Sequence, residues 1–382
     1  MTRGSKPSRR PSIIPIFVPH MGCPHQCVFC NQTSITGSNP SISPRSLIEI
    51  INKISGKVAL RDSGVLSPVF QGPPNDRLRA QRGNPLRREI AFYGGSFTGI
   101  EKKIQMQLLS AVQPFIQRRL IDAVRVSTRP DYIDPQTLQL LREHGVKTVE
   151  LGVQSMVREV LRCSKRGHTA DDVLKAVELL HDHGFEVGIQ IMVGLPGDDA
   201  RGYAHTVDRV IRLNPHFVRI YPTLVLKGTL LEKWYRSGRY TPLSLKEAVD
   251  LCKMAFLKFQ RAGIPVIRLG LQSSPELEMG DCVVAGPHHP AFGHLVESSL
   301  FYDMASFLME RSRQPRIPRA RVSPSDLSNI RGQKNRNLYQ LKYRFALRDI
   351  HIEVDKEQPR GSLILINGTK RDEISYRTLP LS

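Results

Sequence analysis

Short apolar runs alternate along the chain with longer segments whose apolar positions recur at helical spacing. Ile13 to Val18 predicts a first strand, ended by Pro19. Ser43-Pro44 then opens a helix, serine as N-cap and proline at the first helical position, with Leu47, Ile50, Ile51 and Ile54 on one face. Glu89 to Tyr93 predicts strand two and 101–118 its helix. Ala123 to Ser127 is the third strand, followed by a helix that Asp134-Pro135 caps and Gly145 ends. Lys147 to Leu151, Glu186 to Val193 and Phe217 to Tyr221 complete six strands. Between them Thr169 starts a helix that stops at Gly184, and after the last a Ser244–Glu247 capping box starts one that closes at Gly263. Six strand–helix units in series predict an α/β protein whose parallel sheet curves into all or part of a barrel. In such barrels the chemistry sits at the C-terminal ends of the strands.

A polar or glycine-rich segment follows every predicted strand. Gly94-Gly95-Ser96-Phe97-Thr98-Gly99 follows strand two, Ser127-Thr128-Arg129-Pro130-Asp131 strand three, and Gly152-Val153-Gln154-Ser155 strand four. Gly194-Leu195-Pro196-Gly197-Asp198 follows strand five, and Tyr221-Pro222-Thr223, with Lys227 beyond, strand six. After strand one come Cys23, Cys27 and Cys30, spaced C-x₃-C-x₂-C. Three thiolates hold three irons of a [4Fe–4S] cubane and leave the fourth iron to a small chelating ligand. Packing cysteines are rarely this crowded, and a zinc site needs a fourth ligand that His20 or His25 would have to supply. A disulfide needs an oxidising compartment.

The chain has 382 residues, and 55 Lys and Arg stand against 35 Asp and Glu, a net charge of +20. That surplus suits a polyanion such as RNA, or arginine spread over solvated faces. No apolar run is long enough to span a membrane, and Met1 to Ser12 reads as a disordered basic lead-in, not a secretory signal. The remaining cysteines, Cys163, Cys252 and Cys282, show no ligand spacing; the usage as a whole suits a reducing cytoplasm. A basic, Pro- and Gly-bearing insertion over 57–88 precedes strand two. Five arginines between Arg311 and Arg321 predict a linker over 303–322, and alternating stretches at His351 to Val354 and Ser362 to Ile366 a small cap over 323–382.

Taken in order, PHMGCPHQCVFCNQ (19–32), AFYGGSFTG (91–99), STRPDYID (127–134), ELGVQS (150–155), KRGHT (165–169), GIQIMVGLPGD (188–198) and the run 219–244 resemble the radical S-adenosylmethionine (SAM) superfamily. Within it they resemble the stand-alone bacterial relatives of the Elongator catalytic subunit. The resemblance implies an incomplete (β/α)₆ barrel over 13–302 with a small C-terminal α+β extension. It implies a [4Fe–4S] cluster on Cys23, Cys27 and Cys30 with SAM on the open iron, an electron donor such as flavodoxin or ferredoxin, and tRNA as a partner. Cofactor contacts would come from Phe29, Gly94, Gly95, Ser96, Ser127, Arg129, Gln154, Gly194 and Leu195. Glycine at Gly94-Gly95 leaves backbone clear of Cβ for the methionyl amine, and Arg129 offers a planar fork either to the SAM carboxylate or to Asp131. Gln154, Tyr221 and Lys227 are the substrate-side candidates, and His168 either orients a substrate or packs.

Elongator subunits carry an acetyltransferase domain; the stretch after Tyr302 holds no glycine-rich acetyl-CoA loop, which puts acetyl transfer in doubt. Oxygen-independent coproporphyrinogen oxidase chemistry fits less well, because that family's extended cysteine motif is missing. The non-enzymatic alternative is an iron–sulfur or zinc protein that uses the cysteine site structurally.

Overall fold

The computed structural model describes residues 12–18, 20–24, 27–31, 43–52, 87–271, 282–311, 317–367 and 369–380. The basic lead-in before Ser12, most of the insertion over 57–88, Ile54 and His25 lie outside them.

The seven strands β1 (Ser12–Phe17), β2 (Arg88–Tyr93), β3 (Ala123–Thr128), β4 (Val146–Gln154), β5 (Glu186–Val193), β6 (Phe217–Pro222) and β8 (Val266–Leu269) form one sheet in chain order, with β1 and β8 at its edges. The pairs β1/β2, β2/β3, β3/β4 and β6/β8 are parallel. This is the incomplete α/β barrel, with a seventh strand that the periodicity did not predict. Val266–Leu269 is four residues long and carries Arg268, too little for a period to show. The short strands β7 (Val225–Leu226) and β9 (Val283–Ala285) pair antiparallel.

The helices start where the sequence puts their caps. Ser43 Oγ accepts from Ser46 N at 3.1 Å ahead of helix 44–52, which buries Leu47 and Ile51 but leaves Ile50 exposed. Asp134 Oδ1 accepts from Thr137 N at 2.8 Å, and Thr169 and Ser244 each close a full capping box. Helix Lys102–Gln117 buries Leu108, Leu109, Val112 and Phe115, each contributing about 2 kcal/mol by removing apolar surface from water.

The chain divides into two compact units. The first draws on Met1–Val153, Lys165–Ile189 and Ser274–Cys282, the second on Gln154–Ser164, Gln190–Ser273 and Val283–Ser382. Within the first, one face of the strands is charged and buried. Arg125 forks to Glu89 at 2.7 Å and Glu150 at 2.8 Å, and Tyr93 donates to Glu150 at 3.0 Å. Arg87 donates to Glu186 at 2.6 Å, and Thr148 donates to Glu186 at 2.8 Å. Burying these charges requires that each be paired, and strands β2 to β5 supply opposite signs to one face.

In the second unit, β10 (Arg319–Val322), β11 (His351–Val354), β12 (Ser362–Asn367) and β13 (Lys370–Ser375) form a sheet in the order β11-β10-β12-β13. The range 303–322, expected as a linker, carries regular structure at both ends: helix Phe292–Glu310 runs through its start, and Arg319–Val322 is an inner strand. Ala320 and Val322 are buried while Arg319 and Arg321 meet Glu353 across the sheet at 3.1 and 3.0 Å. The arginines sit on the outer face of a period-two strand. Among the described residues no helix is long and apolar enough to cross a membrane.

Candidate active site

The loop after β1 is tied by backbone to the loop after β2. Val18 N donates to Tyr93 O at 2.7 Å, His20 N to Gly94 O at 3.3 Å, and Ser96 N to Met21 O at 2.8 Å. Cys23 N donates to His20 O at 3.2 Å and Cys30 N to Cys27 O at 3.0 Å, so the cysteines leave a pair of tight turns. Val28 is buried and Phe29 half-buried beside Cys30.

Three glycines make this approach possible. A Cβ on Gly95 would stand 2.4 Å from Met21 O and 2.6 Å from Val18 O. One on Gly22, whose φ is +70°, would stand 2.1 Å from Ser96 O, and one on Gly99 2.3 Å from Gly22 O. The Cβ side of Gly95 is therefore filled by the cysteine loop, and the Gly94 carbonyl accepts from His20 N. Gly99 is one side of a glycine–glycine contact. Gly22→Ala should cost on the order of 1–3 kcal/mol locally and release the loop, leaving less than about half the normal iron after reconstitution while far-UV circular dichroism is unchanged. A full iron load in that variant would contradict the packing role.

Behind the glycines lies a buried hydroxyl cluster. Ser96 Oγ and Thr98 Oγ1 lie 3.0 and 2.5 Å from Thr128 Oγ1, and Arg129 N donates to Ser96 Oγ at 3.4 Å. Ser96, expected as a cofactor contact, has its hydroxyl engaged here. Ser127 is half-buried, on the same strand face as Arg125. Arg129 closes both arms of its fork on Asp131, at 3.0 and 2.8 Å, so the salt-bridge reading holds in this structure.

A second guanidinium, that of Arg166, bonds a thiol directly. Its Nη1 donates to Cys27 Sγ at 3.1 Å and its Nη2 to the Gly152 carbonyl, while Nε is buried without a hydrogen-bond partner. Only the position of Arg166 in Lys165-Arg166-Gly167-His168-Thr169 was visible in the sequence. Burial, and then the charge of Cys27, push the Cys23 thiol up, while Arg129, Arg166 and a backbone hydrogen bond from Ser96 pull it back. Among the described residues no three His, Cys, Asp or Glu side chains converge as they would on a single metal ion. Three thiols on one loop are the donor set that a [4Fe–4S] cubane takes from protein.

His168 packs. Its Nε2 lies 3.2 Å from the Val153 carbonyl, to which it donates, and its Nδ1 is buried without a partner. Burial, followed by the charges of Arg166 and Arg129, pulls the imidazole down to about 3. An unfolded histidine titrates near 6.5, so the stability this neutral ring contributes is complete above about pH 6.5 and is lost as pH falls toward 3. His168→Gln keeps a donor for Val153 and cannot titrate. Its melting temperature should therefore fall less than the wild type's between pH 6.5 and 4.5, a difference on the order of 1–3 kcal/mol. Parallel pH curves would count against the buried neutral ring.

The other expected residues belong to the second unit. Gln154 is buried in left-handed backbone, φ +68°, and accepts from Gln190 Nε2 at 3.3 Å, which places both amides on one strand face. A non-glycine residue held there is strained, a cost more often met at functional sites. Gly194, φ +78°, offers its carbonyl to Tyr240 Oη at 2.6 Å, and Leu195 is buried. Tyr221 is half-buried and Lys227 exposed. The sequence reading passed over Asp198, whose Oδ2 is buried without a partner and whose carboxyl burial pushes up to about 7.

The family model described as Radical SAM superfamily matches residues 75–210, and that described as Radical_SAM C-terminal domain matches residues 215–301. The first window begins after the cysteines. The chain is 27% identical over 271 residues to the tRNA uridine(34) acetyltransferase of Methanocaldococcus jannaschii, covering 64% of this chain and 48% of that protein. It is 36% identical over 186 residues to Elongator complex protein 3 of Danio rerio, covering 43% and 33%. An uncharacterized Methanocaldococcus jannaschii protein is 26% identical over 67% of this chain and 74% of its own length. The chain thus spans about half the length of the tRNA uridine(34) acetyltransferases it matches. Among solved structures, Methanocaldococcus infernus Elp3 lacking its N-terminal residues 1–46 shares the fold, with a TM-score of 0.53, 22% identity, and coverage of 79% and 64%.

Proposed function

The chain belongs to the radical SAM superfamily, among relatives of the Elongator catalytic subunit, and from that premise we propose that this enzyme cleaves SAM reductively at a [4Fe–4S] cluster on Cys23, Cys27 and Cys30 to act on an RNA base. What carries the reading is the cysteine loop locked by Gly22, Gly95 and Gly99 against the loop after β2, with the Arg166 guanidinium on Cys27. Cys23, Cys27 and Cys30 would hold the cluster, which would supply the single electron for reductive cleavage of the SAM sulfonium.

The chain's own residues hold and orient. The backbone ties from Met21 and His20 to Ser96 and Gly94 fix where the three sulfurs point. Arg166 is a buried cation whose Nη1 and Nη2 already donate to Cys27 Sγ and the Gly152 carbonyl; a remaining N–H of the same group would meet a ligand carboxylate beside the thiols. Arg129 forks to Asp131 through Nε and Nη2, whereas Arg166 is the guanidinium bonded to a thiol, so the carboxylate contact is assigned to Arg166. Gln154, Gly194 and Leu195 stay the candidates for the nucleoside, and Gln154, Tyr221 and Lys227 for the substrate. Flavodoxin or ferredoxin serves as reductant. RNA as substrate class is supported by the +20 charge and by the name of the tRNA-modifying relatives.

Mass spectrometry of tRNA nucleosides from a deletion strain tests the substrate. One modified nucleoside should vanish and return with the wild-type gene but not with Cys27→Ala. An unchanged tRNA profile would move the substrate to another class.

A further inference from the structure

Residues beyond 301 lie outside both matched windows, and one helix there is unlike the rest of the surface. Between Asp326 and Asp349 the sequence has six cations, Arg331, Lys334, Arg336, Lys342, Arg344 and Arg348, and no acid. Helix Arg336–Arg344 is pinned from its inner side: Leu341 is fully buried, and Asn337 Nδ2 donates to the Ser298 carbonyl at 2.8 Å and the Asn329 carbonyl at 3.0 Å. Its outer side is thereby fixed as well. Tyr339 and Tyr343, one turn apart, are 62% and 92% exposed. Tyrosine is ordinarily half-buried at least; Lys342 Nζ lies 5.5 Å from the centre of the Tyr339 ring, over one face, and the rest of the two rings stands in water. Lys342 and Arg344 pair with Asp349 and Glu310. Arg331, Lys334, Arg336 and Arg348 are exposed and make no ion pair among the described residues.

We propose that helix Arg336–Arg344 with the residues next to it in the chain, which together carry the exposed Tyr339, Tyr343, Arg331, Lys334, Arg336 and Arg348, binds single-stranded RNA. Exposed rings stack on unpaired bases irrespective of sequence, and unpaired cations beside them meet the phosphates. An acidic protein would use the charges but leave the rings idle, and a duplex would hide its base faces from them. The choice of RNA over DNA rests on the substrate reading above; the surface itself does not.

The test uses the full reconstituted protein and a fluorescent 12-residue oligouridylate, with anisotropy read at several salt concentrations. Tyr339→Ala/Tyr343→Ala should weaken binding at least roughly tenfold, and Tyr339→Phe/Tyr343→Phe should restore it. Arg331→Gln/Lys334→Gln/Arg336→Gln should flatten the slope of log affinity against log salt by about 2. All variants should keep the wild-type rate of 5′-deoxyadenosine formation in the absence of RNA, since none touches the cysteine loop. Binding that is unchanged in both the double alanine and the triple glutamine variant overturns the surface, as does a preference for an acidic peptide over the oligonucleotide. Loss of basal SAM cleavage in the wild type would instead sink the radical reading, and the binding data would still judge this face on their own.

Discussion

Replacing Cys23, Cys27 and Cys30 together by alanine should leave almost no iron after anaerobic reconstitution, whereas Cys163→Ala, Cys252→Ala and Cys282→Ala should each keep about four irons per chain. A ligand thiol must lose its proton on binding iron, so a thiol held protonated by its surroundings is a poor donor. Burial pushes the fully enclosed Cys252 well up, and burial with the Glu159 carboxylate 3.3 Å away pushes Cys163 up. Cys282 is buried as well. Cys23 is also raised by burial, but Arg129, Arg166 and the Ser96 backbone oppose that, and all three loop cysteines stay partly open. Iron lost from any of the three remote variants would reveal a second centre.

Arg166→Met should weaken SAM binding by roughly 10- to 100-fold, the scale of one or two charge-assisted hydrogen bonds in a dry site, with cluster iron retained. Removing its N–H···S bond and positive charge from Cys27 should also shift the cluster's reduction potential in the negative direction, read by an electron paramagnetic resonance titration. Arg166→Lys keeps the charge but not the fork and should fall between. Arg129→Met frees Asp131 and should reduce stability more than SAM affinity, since its bidentate partner lies on its own turn. If Arg129→Met abolished SAM binding while Arg166→Met bound normally, the two assignments would have to be exchanged.

These contrasts show where sequence reading stopped. Strand order, caps and the cysteine loop were legible because they depend on local spacing: Ser43, Asp134, Thr169 and Ser244 each announce a helix within four residues. Gly22 against Gly99 was not, because the reason for those glycines is a backbone some seventy residues away in the chain. Which arginine bonds a thiol is likewise a tertiary fact: Arg129 follows β3 and forks to Asp131 two residues on, while Arg166 reaches Cys27 from 139 residues away in the chain. The charged face of Glu89, Arg125, Thr148, Glu150 and Glu186 was written in period two, yet buried charges read as surface until their partners on neighbouring strands are known. The arginines of β10 hid a strand in the same way, by suggesting a solvated linker where only alternate residues face water.

The central claim, SAM cleavage at the loop of three cysteines, is tested most directly by 5′-deoxyadenosine itself. Reconstituted protein would be incubated anaerobically with SAM and either dithionite or reduced flavodoxin, and the nucleoside quantified by chromatography. The account predicts slow formation by the wild type without substrate and none by Cys27→Ala. No 5′-deoxyadenosine from a fully iron-loaded wild type with either reductant would contradict it and leave a structural cluster as the better description.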